Sequence, residues 1–139
     1  MNKITVETII QSPLDKVWEF WNESKHITHW YFASDDWECP TVINNVKENG
    51  KFNFRMQAKD GSFGFNLSGT YIKIEDKKYL EYVMDGEDKR QVKITFEKLN
   101  ENETKVTEEF DPETLHPLEF QKAGWQAILD NFKKYVEHN

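Results

Sequence analysis

PLEFQKAGWQAILDNFKKYVEH, residues 117–138, reads as one long amphipathic helix. Trp125, Ile128, Leu129, Phe132 and Val136 recur at the spacing of a single helical face, and Glu119, Lys122, Gln126, Asp130, Lys133 and Lys134 take mainly the rest of the surface. Pro117 suits the first turn, where its missing N–H is not needed. So heavy an apolar stripe needs a surface to cover. Gly124 lies on or beside the stripe, where a glycine costs about 1 kcal/mol against alanine and so needs a reason. Close packing of helix on sheet is the ordinary reason and the one preferred here. The other is space held open between helix and sheet.

The surface to be covered lies upstream, in β-strands. Ile4, Val6, Thr8 and Ile10 alternate with polar neighbours and predict a first strand with one buried face. Ser12-Pro13-Leu14-Asp15 then starts a helix, with Ser12 expected as its cap and Leu14, Val17, Trp18 and Trp21 on its inner stripe. A second, short helix capped by Ser24 carries Ile27 and Trp30 inward. Residues 31–41, YFASDDWECPT, have no period and read as a loop. Strands follow from Val42 to Lys47, from Lys51 to Lys59 (Phe52, Phe54 and Met56 on one face) and from Phe63 to Glu75. In the last of these, Phe63, Phe65 and Leu67 share a face, and Ile72 and Ile74 take the other. The switch of parity near Gly69 predicts a bulge or bend there. Leu80, Tyr82 and Met84, then Val92, Ile94 and Phe96, then Val106 and Phe110, mark three more strands. Asp60-Gly61, Asp76-Lys77-Lys78, Asp85-Gly86 and Asn100-Glu101-Asn102 supply the turns between strands.

Strands joined by short turns, with helices gathered at the two ends, predict an α+β fold: an antiparallel sheet covered on one face by the long helix. The 139 residues make one domain, 1–139, with a real core. Five Trp, five Tyr and ten Phe give that core its area despite a hydrophobic fraction of only 37%. A net charge of −7 opposes nucleic acid and anionic membranes as partners. There is no signal-peptide pattern and no apolar run long enough to span a bilayer. The single cysteine, Cys39, excludes an internal disulfide and fits a reducing compartment, so a cytoplasmic protein is expected. Exposed sheet edges leave monomer and homodimer both open.

Several stretches resemble one family. Ser12-Pro13 followed by Val17-Trp18, and Trp30 closing the second helix, resemble the opening of the activator of heat-shock-protein-90 ATPase homologue family. Glu48-Asn49-Gly50-Lys51-Phe52-Asn53-Phe54 and Gly69-Thr70-Tyr71 resemble its strand starts, with Gly50 alone where the family often has two glycines. Thr104 to Phe110 resembles its last strand, and Gly124-Trp125 with the apolar residues around Asp130 its helix signature. The resemblance covers essentially the whole chain. It implies the START-like (SRPBCC) helix-grip fold: a curved antiparallel sheet wrapped on the C-terminal helix, with two short helices after the first strand. Relatives of that fold include ligand carriers, polyketide cyclases and a co-chaperone domain, so fold alone does not choose a function.

Phe54, Met56, Phe65, Leu67, Tyr82, Met84, Phe96, Trp125 and Leu129 are candidates to line a ligand space between sheet and helix, though rings fill a space as readily as they line one. Glu108 shares strand parity with Val106 and Phe110. It either points inward, to orient a ligand or serve as an acid or base, or sits at an edge or bulge and turns outward. The second reading is the commoner behaviour of a carboxylate. Tyr31, Phe32 and Trp37 either fold back on the core, which is preferred, or form a lid or partner-docking loop. His26 and His29, with Glu23, have helical spacing but lack the further ligands of a metal site, and none is expected. Cys39 stands among acids that oppose thiolate formation. No nucleophile elbow, phosphate loop or cofactor motif appears, and no catalytic residue is assigned. The expectation is non-enzymatic binding of a small hydrophobic or aromatic ligand, with Tyr82 and Glu108 orienting it. A chaperone-ATPase-activator-like interaction module, with a chaperone as partner, is the first alternative. A cyclase-like or hydrolase-like enzyme using a pocket acid is the second.

Overall fold

The computed structural model describes residues 3–139. In chain order it contains β1 (Ile4–Ile10), α1 (Leu14–Asn22), α2 (Ser24–Ile27), β2 (Trp37–Asn44), β3 (Lys51–Ala58), β4 (Gly64–Glu75), β5 (Tyr79–Met84), β6 (Gln91–Asn100), β7 (Glu103–Phe110) and α3 (Leu118–Glu137). The strands form one antiparallel sheet in the order β1-β7-β6-β5-β4-β3-β2. Short turns put β2 to β7 side by side in sequence order. β1 closes on β7 and so lies at the edge opposite β2, and α1 and α2 span the distance between these edges. The sheet curls around α3, as the α+β helix-grip reading expects.

The helix is anchored at one edge of the sheet. Gln126 donates to the Glu7 carbonyl at 3.2 Å, Lys133 donates to the Ile9 carbonyl at 2.6 Å, and the Gln11 N–H donates to Glu137 at 2.8 Å. These bonds use up backbone groups that an edge strand would otherwise leave exposed. They also hold α3 over β1 rather than over the centre of the sheet.

Beneath the second half of α3 the interior is solid. Leu129, Phe132 and Val136 are completely buried. The Phe132 ring lies 4.5 Å from that of Trp30 and 4.9 Å from that of Trp21, centre to centre, and Trp21 meets Phe96 edge-on at 5.7 Å. The Trp30 indole N–H donates to the Phe20 carbonyl at 3.1 Å, so its one polar atom is satisfied inside.

Some local expectations need correction. Pro13, not Ser12, occupies the cap position of α1, and Pro117 does the same for α3, both with extended backbone. The Ser12 side chain turns inward and is buried, while its carbonyl accepts the Thr104 hydroxyl at 2.9 Å. Glu23, not Ser24, precedes the first residue of α2. The stretch read as an aromatic loop already becomes β2 at Trp37. Pro40 is tolerated there because β2 is an edge strand with a register irregularity between Glu38 and Thr41. The register shift in β4 falls between Tyr71 and Lys73, leaving Ile72 41% exposed. Gly69 serves packing instead: a Cβ there would lie 2.5 Å from the Val83 carbonyl oxygen and 2.7 Å from the Phe52 ring.

Candidate functional site

Under the first half of α3 the interior opens into a cavity of about 690 Å³. The sheet supplies Met56 from β3, Phe65 and Leu67 from β4, Met84 from β5 and Glu108 from β7. From α3 come Phe120, Gln121, Gly124, Trp125 and Ile128; Tyr31, Ala33, Ser34 and Trp37 close one side. Phe63, Arg90, Glu113 and His116 complete the rim. Phe63 and Phe120, 68% and 64% exposed, show where the cavity meets solvent.

Each wall has a structural cause. Strand alternation turns Met56, Met84 and Glu108 to the inner face, where all three are buried. Trp125 is held by flat stacking on Phe110, with ring centres 3.7 Å apart and planes at 13°. Its other face is left to the cavity. Gly124 is the principal correction. A Cβ at this position would meet nothing within 4 Å, so the glycine does not serve close packing. It stands beside open space, and the helix leaves that space unfilled.

Gln121 interrupts the apolar stripe one turn before Trp125, and it is buried. Its side chain accepts from the Glu113 N–H at 2.8 Å and donates to the Glu113 and His116 carbonyls at 3.1 and 2.8 Å. One amide therefore folds the segment before α3 against the cavity. The Glu113 carboxylate in turn takes the His116 N–H at 2.7 Å and lies 2.9 Å from its ring Nδ1. Burial would raise the Glu113 pKa, but these bonds outweigh it and hold the group below its ordinary value. A polar residue at a stripe position was the sequence signal for this brace. The rim positions Arg90, Glu113 and His116 sit in turns without periodicity and gave no such signal.

Glu108 lies in the second strand of the sheet, opposite Val6 on one side and Ile94 on the other, and is 3% exposed. The outward reading is therefore wrong: β7 is flanked on both sides, and parity prevails over residue type. Among the described residues no hydrogen bond or ion pair reaches the carboxyl. Burial pushes its pKa up to about 8. Burial likewise raises the phenols of Tyr31 and Tyr82 well above their usual value, and the charge of the nearby Glu108 adds to this.

The other candidate positions fall elsewhere. Phe54 and Tyr82 border a separate crevice of about 10 Å³, room for no more than about one water. Phe96 and Leu129 belong to the solid core and line neither space. Tyr31 and Trp37 reach the cavity wall, and Phe32 does not. Cys39 is buried in β2, and burial rather than the neighbouring acids pushes its thiol up to about 11. Glu19, Glu23 and His26 bring three ligand-type atoms within 4.8 Å of one another. His29 is outside that group and stacks on Tyr135 instead. His26 is engaged with the Tyr135 hydroxyl at 2.8 Å, and its two acidic neighbours are exposed. Among the described residues, no helix is long and apolar enough to cross a membrane.

A long helix gripped by a curled antiparallel sheet, with a cavity between them, defines a START-like domain. The model of the activator of Hsp90 ATPase homolog 1-like protein family matches residues 11–137, and the chain belongs to that family. It is similar to the NMR solution structure of an AHSA1-like protein from Aeromonas hydrophila: 42% identity, TM-score 0.90, covering 99% of this chain and 93% of that one. A solution structure from Cytophaga hutchinsonii is also 42% identical, with TM-score 0.84 over 100% of this chain and 94% of that one. A crystal structure of a Chromobacterium violaceum protein shares the fold at TM-score 0.86 with 16% identity, over 99% of both chains. No curated protein matches the sequence.

Proposed function

We propose that this protein binds a small apolar or aromatic ligand in the cavity between α3 and the sheet, and that it does so without converting it. The observation that carries this reading is Gly124 beside about 690 Å³ of ring-walled space. That volume lies within the range of roughly 300–1,000 Å³ typical of small-molecule sites. A helix built only to pack would fill such a gap. Met56 and Met84 supply walls that adapt to a ligand's shape. The only fully buried carboxyl in these walls is Glu108, and the Glu113–His116 pair sits at the rim, so the polar groups do not converge as an acid–base pair. The buried thiol of Cys39 suits a reducing, cytoplasmic setting.

The test is a fluorescence titration with the uncharged dye N-phenyl-1-naphthylamine. The expected result is saturable one-to-one binding that weakens at least tenfold in Gly124→Leu, whose side chain enters the cavity without harming the helix. Undiminished binding in that variant, or none in the wild type, contradicts the reading.

A second reading, a chaperone-interaction module, draws on the family and on the exposed Leu115, Leu118 and Phe120 beside the rim. Retention of a purified Hsp90-type chaperone together with a change in its ATPase rate would favour it. Retention lost in Phe120→Ser would locate the contact.

A further inference from the structure

We propose that the ligand carries a positively charged amine, received by Glu108 in the depth of the cavity and enclosed by the surrounding rings. This rests on the reading that the cavity binds a ligand. A carboxyl 3% exposed is costly unless something partners it. Its neighbours on the inner face of the sheet are Val6, Ile94, Val106 and Phe110, all apolar, where another apolar side chain would pack without cost. The protein therefore maintains an acid in a wall that gives it no partner.

Among the described residues, the groups around this acid supply no positive charge. Tyr31 and Tyr82, on which its charge acts, are phenols. Elsewhere in the cavity lining, α3 supplies Phe120, Gln121, Gly124, Trp125 and Ile128, none of them basic. The cavity's two basic side chains are both at the rim, and each already has an acid. Arg90 pairs with Asp88, Nε to Oδ2 at 3.3 Å, and His116 pairs with Glu113 at 2.9 Å. The acid left without an opposite charge in the cavity is thus Glu108, 3% exposed, and a bound cation would hold it ionised. Trp37, Phe65, Trp125 and Tyr31 line the same cavity, and aromatic rings attract cations. The net charge of −7 draws cations toward the mouth.

A cation requires Glu108 ionised, whereas an uncharged ligand is bound at least as well with it protonated. The two ligand types therefore respond oppositely to pH. The probes are naphthylmethyltrimethylammonium, whose charge does not titrate, and its uncharged carbon isostere neopentylnaphthalene, titrated into the full chain from pH 6 to 9. Affinity for the cation is expected to rise toward tenfold per pH unit below about pH 8 and to level off above it, while affinity for the isostere stays flat or falls. Glu108→Gln should lose at least tenfold in cation affinity, lose the pH slope, and still bind the isostere, which shows its cavity intact. The rim imidazole of His116 is unchanged in that variant, so loss of the slope assigns it to Glu108. Binding of the isostere without the cation, or cation binding indifferent to Glu108→Gln, overturns the amine while the cavity reading stands. If neither probe binds, the cavity reading falls and the inference falls with it.

Discussion

One helix covers two different interiors. Under the second half of α3, Leu129, Phe132 and Val136 are completely buried against Trp21, Trp30 and the inner faces of the strands. Under the first half, Trp125 and Ile128 are only partly buried, Phe120 is exposed and Gly124 borders empty space. Backbone and sheet are continuous through both halves. The difference lies in side chains: large rings interlock in one half, and a glycine, two methionines and an unpartnered carboxyl leave the other open. The solid half secures the fold, which allows the hollow half to remain unfilled.

That contrast can be attacked with paired substitutions. Phe132→Ala removes a ring from the solid half and should cost about 3–5 kcal/mol in chemical denaturation. Met84→Ala, whose side chain already faces open space, should cost about 2 kcal/mol, the low end for such truncations. Equal losses would mean that the two halves are packed alike.

Glu108 sharpens the comparison through pH. The native carboxyl keeps its proton up to about pH 8, whereas the unfolded chain releases it near the ordinary 4.5. Ionisation therefore favours the unfolded chain throughout that window. Stability falls as pH rises through it, is unaffected below it and levels off above it. Relative to Glu108→Gln, the wild type should lose about 1.4 kcal/mol per pH unit within the window. Parallel pH profiles for the two proteins would show that Glu108 titrates normally.

The smallest effect belongs to Gly124→Ala. It should stabilise the protein by up to about 1 kcal/mol, because helix propensity improves and the added methyl meets no atom. A destabilised variant would mean that the helix does pack closely there.

Much of this was legible in the sequence. Strand alternation and the stripe of α3 placed nearly every element, because a buried face imposes its period on the chain. Only the first part of β2, Trp37 to Thr41, was hidden, because Pro40 and its acidic neighbours break the alternation that marks the strand from Val42 on. Glu108 had the parity of an inward residue, but parity competes with the habit of carboxylates to face water, and only the flanking of β7 by β1 and β6 resolves that. Gly124 was legible as an anomaly and not as a cavity, since close packing and open space both call for a missing side chain. Gln121, on the stripe yet polar, was the overlooked sign that the rim is braced from within.

Methyl NMR on titration with N-phenyl-1-naphthylamine distinguishes the hollow half from the solid half residue by residue. The methyls of Met56, Met84, Leu67 and Ile128 should shift in a saturable manner while those of Leu80, Leu129 and Val136 stay in place. Shifts spread evenly over both sets, or absent from the first, would contradict a ligand site confined to the hollow half.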